Sequence, residues 1–346
     1  YGRNVAVGYY ALGSQNAGAD AYNVAIGYEA GKVVTTGIYN TLIGGQAGDA
    51  LTNGQRNVAI GYAALSTEDG HGYNVAIGAR ALETLNAGAN GYNVAIGSDA
   101  GLLVTTGTNN VLIGTNTGDG FTQGIDNVAV GSSALSAVNA GNRSVAIGKE
   151  ALNAQNAGSA GQNMYNTAVG YRAGLLVTTG TENTLIGAFA GDALVAGGYN
   201  TLMGVHAGGG LVEGANNVAI GHSALKTENA HGHNVAIGRE ALKTLDAGAE
   251  GHNVAVGYRT GYLMTSGVGN VIMGASAGDA LTTGSDNVAI GKSALGLEDT
   301  GSRNVAVGKG ALGNLDYNGN GYNVAVGFQA GTSISTGVGN VVIGGL

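Results

Sequence analysis

Apolar residues recur along this chain in short groups of three, each inside a pentapeptide that reads NVAIG or a close variant. Successive copies are 17 residues apart in fourteen of nineteen intervals, 19 apart in four and 22 apart in one. A fixed short period predicts that each unit is one coil of a stacked solenoid, whose apolar face is buried against its neighbours. The twenty copies begin at residues 4, 23, 40, 57, 74, 93, 110, 127, 144, 166, 183, 200, 217, 234, 253, 270, 287, 304, 323 and 340.

Each coil can be numbered from the first residue of its pentapeptide as position 0. Positions 1 to 3 form a strand that is apolar on both faces, which is typical of a buried strand. Position 4 is Gly in all twenty coils, which predicts a corner that needs a positive φ or has no room for a β-carbon. Position 7 is Ala in seventeen of nineteen complete coils, as expected for a tight inward position on a second strand.

Position 0 is Asn in every coil except the one that begins at Ser144. Asn tolerates a left-handed backbone at corners, and Asn amides stacked about 4.8 Å apart can hydrogen-bond from coil to coil. We therefore predict a structural ladder rather than a binding site. Its members, with the corner glycines, include Asn23, Asn40, Asn57, Asn74, Asn93, Asn110, Asn127, Asn217, Asn234, Gly27, Gly44, Gly61, Gly78 and Gly97.

A second, longer repeat is superimposed on the repeat of the single coils. Position 8 alternates between pairs of Leu coils and pairs of Gly coils, with one extra Gly coil that begins at Asn200, and the Gly coils carry an apolar side chain at position 11 instead. The apolar volume that is missing at position 8 is thus supplied at position 11, as a close-packed interior requires. We predict an all-β fold, a parallel β-roll or β-solenoid of about twenty coils in a four-coil superrepeat. It forms a single continuous domain over residues 1–346, as a segment of a longer fibre protein.

Position 2 is Ala, Leu, Ile or Val in every copy. Since positions 1 and 3 point to one side of the strand, position 2 points to the other, and we expect it to form an apolar stripe on the outside. Burial of that stripe would favour association with copies of the same chain around a closed symmetry axis. The expected subunit-interface residues are Leu42, Leu112, Leu185, Leu202, Ile272 and Val342.

Composition excludes several classes of site and of partner. The chain has 67 glycines, no proline and no cysteine, and its formal net charge is −8. Disulfides and soft thiolate metal sites are therefore absent, and an acidic surface is a poor partner for nucleic acid or anionic membrane. No apolar run is long enough for a membrane span.

No catalytic constellation is evident, because the acidic residues are expected singly on surface columns rather than in converging pairs. We predict that the protein is not an enzyme and needs no cofactor. His231, His233 and His252 lie in neighbouring coils and are the candidates for a metal site. Tyr73 and Tyr92 hold the positions that correspond to His233 and His252 earlier in the chain. This favours a column of flat polar rings over metal ligands.

Tyrosines repeat in the column just before position 0, at one end of the buried strand. Exposed aromatic rows suit contact with a sugar or a receptor, but packing at a subunit rim would use the same rings, and we favour packing. The candidates for receptor or glycan contact are Tyr22, Tyr39, Tyr73, Tyr92, Tyr165, Tyr199 and Tyr322.

The NVAIG strand followed by Gly resembles the YadA-like head repeats of trimeric autotransporter adhesins. The form NTLIGxxAGxxLxxG, seen at Asn40 and Asn183, is similar to the arrays of phage tail fibres and bacterial surface fibres that end in a self-cleaving chaperone domain. The resemblance covers essentially the whole chain. It implies a homotrimeric, extracellular, non-enzymatic fibre on a cell surface or a virion, which contacts receptors or glycans.

Two function classes follow. The first is a structural fibre segment, the shaft or head of an adhesin or tail fibre, which gives length, stiffness and surface display for attachment. The second is a single-chain glycan- or ice-binding solenoid. Thr pairs such as Thr35 and Thr36 recur only once in four coils, which disfavours a continuous ice-binding face.

Overall fold

The computed structural model describes residues 2–120, 122–137, 141–159 and 161–345. The chain divides into two compact units, Tyr1–Thr179 and Gly180–Leu346. Each coil contributes one strand of three residues at positions 1 to 3. Nowhere in the described ranges is there a helix long and apolar enough to span a bilayer.

The first unit contains ten strands in one parallel sheet, and each strand pairs with the strand of the next coil. The register is exact from coil to coil, with Val24 opposite Thr41, Ala25 opposite Leu42 and Ile26 opposite Ile43. The strands are β1 (Val5–Val7), β2 (Val24–Ile26), β3 (Thr41–Ile43), β4 (Val58–Ile60), β5 (Val75–Ile77), β6 (Val94–Ile96), β7 (Val111–Ile113), β8 (Val128–Val130), β9 (Val145–Ile147) and β10 (Thr167–Val169).

The second unit repeats this arrangement with ten more parallel strands in the same register. They are β11 (Thr184–Ile186), β12 (Thr201–Met203), β13 (Val218–Ile220), β14 (Val235–Ile237), β15 (Val254–Val256), β16 (Val271–Met273), β17 (Val288–Ile290), β18 (Val305–Val307), β19 (Val324–Val326) and β20 (Val341–Ile343). The chain is thus an all-β parallel β-solenoid of about twenty coils, with about 17 residues in each turn.

The expected second strand is wrong for the described residues, because turns follow each strand instead. Positions 6 and 8 have left-handed backbones, as in Glu29 with φ 57° and Gly31 with φ 59°. Successive coils are still joined there, since the N–H of Glu29 donates to the carbonyl of Tyr9 at 2.8 Å. The Ala at position 7 points inward, and Ala30 is fully buried.

The glycine at position 4 makes the corner that the sequence predicts. All twenty have φ between 125° and 144°, a region that side chains rarely adopt. Space is also lacking, since a β-carbon on Gly27 would lie 2.4 Å from the carbonyl oxygen of Gly44 in the next coil. Both reasons for glycine therefore apply at the same corner.

The asparagines of position 0 form a buried hydrogen-bonded ladder within each unit. The backbone N–H of Asn40 donates to Oδ1 of Asn23 at 2.8 Å, and Nδ2 of Asn40 donates to the carbonyl of Gly54 at 2.8 Å. Asn57 and Asn74 continue this pattern. The left-handed residue of this corner is the one before the Asn, such as Tyr39 with φ 60°, and not the Asn itself.

The core lies inside each coil and includes position 2, so the expected outer stripe at position 2 is wrong. The side chains expected there lie inside their own chain: Leu42, Leu112, Leu185, Leu202 and Ile272 are fully buried, and Val342 is half-buried. Leu42 points into the space beside Gly31 and Gly48, because a β-carbon on either glycine would meet a Leu42 methyl within 3 Å. Large residues at position 2 fill the volume that glycine at position 8 leaves open.

Candidate functional site

The outer face of the sheet carries the side chains of positions 1 and 3. Because position 2 points inward, these side chains alternate to the outside, and the strands show partly exposed residues on either side of a buried one. Ile96 and Ile147, for example, are 36% and 39% exposed. We call the two columns formed by positions 1 and 3 the outer sheet face.

This face is uniform in chemistry. All forty side chains at positions 1 and 3 are Val, Thr, Ile or Met, and none is charged. Exact register places equivalent side chains side by side in consecutive coils, as with Ile60 and Ile77. The result within each unit is an uncharged, mostly apolar and regularly spaced surface on the exposed side of a parallel sheet.

The tyrosines before position 0 stack on each other along one edge of this face. The rings of Tyr22 and Tyr39 are 5.4 Å apart and nearly parallel, and those of Tyr73 and Tyr92 are 5.0 Å apart. Arg56 lies between the pairs, with its guanidinium 5.6 Å from the Tyr39 ring and 5.4 Å from the Tyr73 ring. Neighbours in the column therefore cover the ring faces that a sugar would stack on.

The other tyrosines of the column are exposed, and none of them stacks on a second tyrosine within the described residues. Tyr165 and Tyr322 each lie beside an arginine, Arg143 and Arg303 respectively, at 5.9 and 5.8 Å from guanidinium carbon to ring centre. Tyr199 is 58% exposed. Tyr199 and Tyr322 are more exposed than Tyr92, the most exposed ring of the stacked pairs, whereas Tyr165 is slightly less exposed than Tyr92.

The three candidate histidines do not converge. The rings of His233 and His252 are 5.0 Å apart in the column before position 0, and Nδ1 of His233 lies 2.7 Å from Oε2 of Glu250. His231 lies instead beside Glu228 and Asp246. The stacked pair thus occupies the place of Tyr73 and Tyr92, as flat rings in a column.

Sequence reasoning missed three buried acids. Glu68, Glu228 and Glu298 stand at position 11 of their coils and are fully buried, although acidic residues are expected only on the surface. Backbone N–H groups compensate them, as where Gly301 donates to Oε1 of Glu298 at 2.7 Å. Burial raises the pKa of the Glu228 and Glu298 carboxyl groups. Their position in the coil could have indicated this burial, because position 11 holds buried apolar residues in the Gly coils.

A signal for the outer sheet face was also present. The five large residues at position 2 of the complete coils, which are Leu42, Leu112, Leu185, Leu202 and Ile272, all occur in coils that have Gly at position 8. Such compensation indicates that both side chains share one interior. Position 2 then faces the core, and positions 1 and 3 face outward.

Comparison with known proteins adds no relative. No protein-family model matches the chain, and no curated protein matches it in sequence. The interpretation of function therefore depends on the residues and on the geometry of the coils.

Proposed function

We propose that this chain is a non-enzymatic structural segment of an extracellular fibre, built from copies of the chain that associate through the outer sheet face. The observation that carries the proposal is that positions 1 and 3 hold only Val, Ile, Met or Thr, and no charged residue, in all twenty coils. A parallel sheet is ordinarily covered on both faces. Here the inner face is covered by the coil, and the outer face has no cover within a single chain.

The occupant that fits this face is another copy of the same chain. The face repeats with the spacing of the coils, so a partner that contacts every coil needs the same repeat. Two copies that each carry a formal net charge of −8 would repel, but the outer sheet face itself holds no charge. Apolar burial at about 25 cal/mol per Å² would then favour association around a closed axis.

A trimer is the arrangement that the resemblance to YadA-like head repeats implies. Such an assembly would serve as the shaft or head of an adhesin or tail fibre on a cell surface or a virion. Its function would be length, stiffness and display, with a cell-surface receptor or glycan as the target of the exposed edges. Tyr199 and Tyr322 are the most exposed tyrosines of the column and are the first candidates for such contacts.

The test is the absolute mass in solution by light scattering at neutral pH. We expect three times the mass of one chain. The sheet-face variant Ile96→Lys with Ile147→Lys should lower that mass, because it puts two charges into an apolar contact. The matched control is Leu103→Lys with Leu176→Lys, which changes leucines that are 44% and 47% exposed elsewhere on the coils.

If the wild type is a monomer, self-association is overturned. A single-chain glycan- or ice-binding solenoid would then be the favoured function. A mass that falls equally in both double variants would show that the outer sheet face is not the interface. Retention of the full mass in the sheet-face variant would show the same.

A further inference from the structure

Three metal-ligating side chains converge in the second unit. Glu228 and His231 stand at positions 11 and 14 of the coil that begins at Asn217, and Asp246 stands at position 12 of the following coil. One ligand atom from each lies within 4.8 Å of the other two. The stacking of coils therefore brings together residues that are up to eighteen positions apart in sequence.

The negative charge of this cluster is only weakly compensated by the protein. The Glu228 side chain is fully buried, and its oxygens accept N–H bonds from His231 and Ala247, each at 3.3 Å. A cation between the carboxylates of Glu228 and Asp246 would balance this charge.

His231 supplies the second observation. Its Nδ1 is shielded from solvent and forms no hydrogen bond, and it lies 3.5 Å from Oε1 of Glu228. A ring nitrogen that is shielded from water and forms no hydrogen bond is costly to bury. It is also the atom through which a neutral imidazole binds a metal ion.

Two equivalent clusters in the described residues do not combine an unbonded histidine nitrogen with a carboxylate from the following coil. In the coil that begins at Asn57, the cluster is Glu68, Asp69 and His71, but Nδ1 of His71 is bonded to Oε1 of Glu68 at 3.1 Å and the residue across the coil boundary is Asn86. In the coil that begins at Asn287, the cluster is Glu298, Asp299 and Asp316, and Gly301 replaces the histidine.

We propose that Glu228, His231 and Asp246 bind one Zn²⁺-type divalent cation that links two consecutive coils. One imidazole nitrogen with two carboxylate oxygens is a donor set that zinc accepts, and water completes the tetrahedral shell. Asp246 is exposed and Glu228 is buried, so the ion enters from the solvent side. The bound metal stabilises the contact between the coils, because the site exists only in the folded chain.

The test is calorimetric titration of the chelator-treated full chain with ZnCl₂. We expect one zinc per chain and at least a tenfold loss of affinity in Asp246→Asn, which introduces the amide found at Asn86. A second variant, His231→Gly, introduces the residue found at Gly301 and should also lose binding. The control is His233→Tyr with His252→Tyr, which introduces the residues of Tyr73 and Tyr92 and should bind zinc normally.

Thermal unfolding gives an independent measure of the same site. Zinc should raise the Tm of the wild type and of the His233→Tyr, His252→Tyr control, but not that of Asp246→Asn. The proposal is overturned if the wild type takes up no zinc, or if Asp246→Asn binds it as tightly as the wild type. It is overturned equally if the tyrosine control loses binding, since the ion would then belong to the stacked histidines.

Discussion

The Cδ1 methyl of Leu42 occupies the place where a β-carbon on Gly31 would sit, because the two atoms would be 2.6 Å apart. Leu42 stands at position 2 of its coil, and Gly31 stands at position 8 of the coil before it. Leucine at position 2 and glycine at position 8 are therefore complementary parts of one core. This relationship also turns positions 1 and 3 toward the outside.

Leu42→Ala should lower the free energy of unfolding by about 2–5 kcal/mol, because it opens a cavity in a fully buried site. Leu103→Ala is the control, since Leu103 is 44% exposed and should cost less than about 1 kcal/mol. Urea unfolding followed by circular dichroism measures both. Equal costs for the two variants would contradict the inward orientation of position 2.

Gly27→Ala should disrupt the stack locally and cost about 3 kcal/mol or more. Its φ is +143°, and the new β-carbon would lie 2.4 Å from the carbonyl oxygen of Gly44. Gly18→Ala separates the two causes, because Gly18 has φ +70° with no atom within 4 Å of a β-carbon. That control should cost only about 1–2 kcal/mol of left-handed strain. Thermal unfolding of both variants would show whether the close approach dominates.

Asn57→Ala should leave buried backbone groups without partners, each at about 1–3 kcal/mol. The carbonyl of His71 would lose its donor at 3.0 Å, and the N–H of Asn74 would lose its acceptor at 3.0 Å. Hydrogen exchange should show faster exchange of the Asn74 amide. Asn53→Ala, at an exposed position, should leave that amide protected. Unchanged protection in Asn57→Ala would argue against the ladder as a source of stability.

Stability should depend on pH through Glu298. Burial raises the pKa of its carboxyl, with Asp299 and Asp316 adding to the rise and the N–H groups of Gly301 and Tyr317 opposing it. The folded state therefore holds the proton more tightly than the unfolded state. The contribution of Glu298 to stability is complete below the unfolded pKa of about 4.3 and is lost as pH rises through the folded pKa.

The Tm of the wild type relative to Glu298→Gln should thus be highest near pH 4 and should fall toward pH 7. Glu240→Gln provides the opposite sign, because a hydrogen bond from Lys243 lowers the pKa of Glu240. Its contribution is present above about pH 4.3 and disappears in acid. Thermal unfolding in chelator from pH 3 to pH 7 measures both. A Glu298→Gln difference that grows with pH would contradict the assigned direction.

The periodicity of the chain was sufficient to predict the solenoid, because a fixed interval between identical short strands has few other packed solutions. The corner glycines and the Asn column could also be assigned, since each has a local physical reason that repeats unchanged in every coil. The residues of the strand could not show which of its two faces points toward the core. A strand of three apolar residues has no polar alternation to distinguish its inner face from its outer face.

The sequence by itself thus determined the period, the coil boundaries, the glycine corner at position 4 and the two kinds of coil, because these depend on backbone geometry and on volume within a coil. The tertiary structure decided that Leu42 points inward while Ile43 points outward, because the choice depends on the volume that Gly31 in the preceding coil and Gly48 in the same coil leave open. The meeting of Glu228, His231 and Asp246 was decided in the same way. It depends on how side chains of successive coils superpose, which spacing along one coil does not reveal.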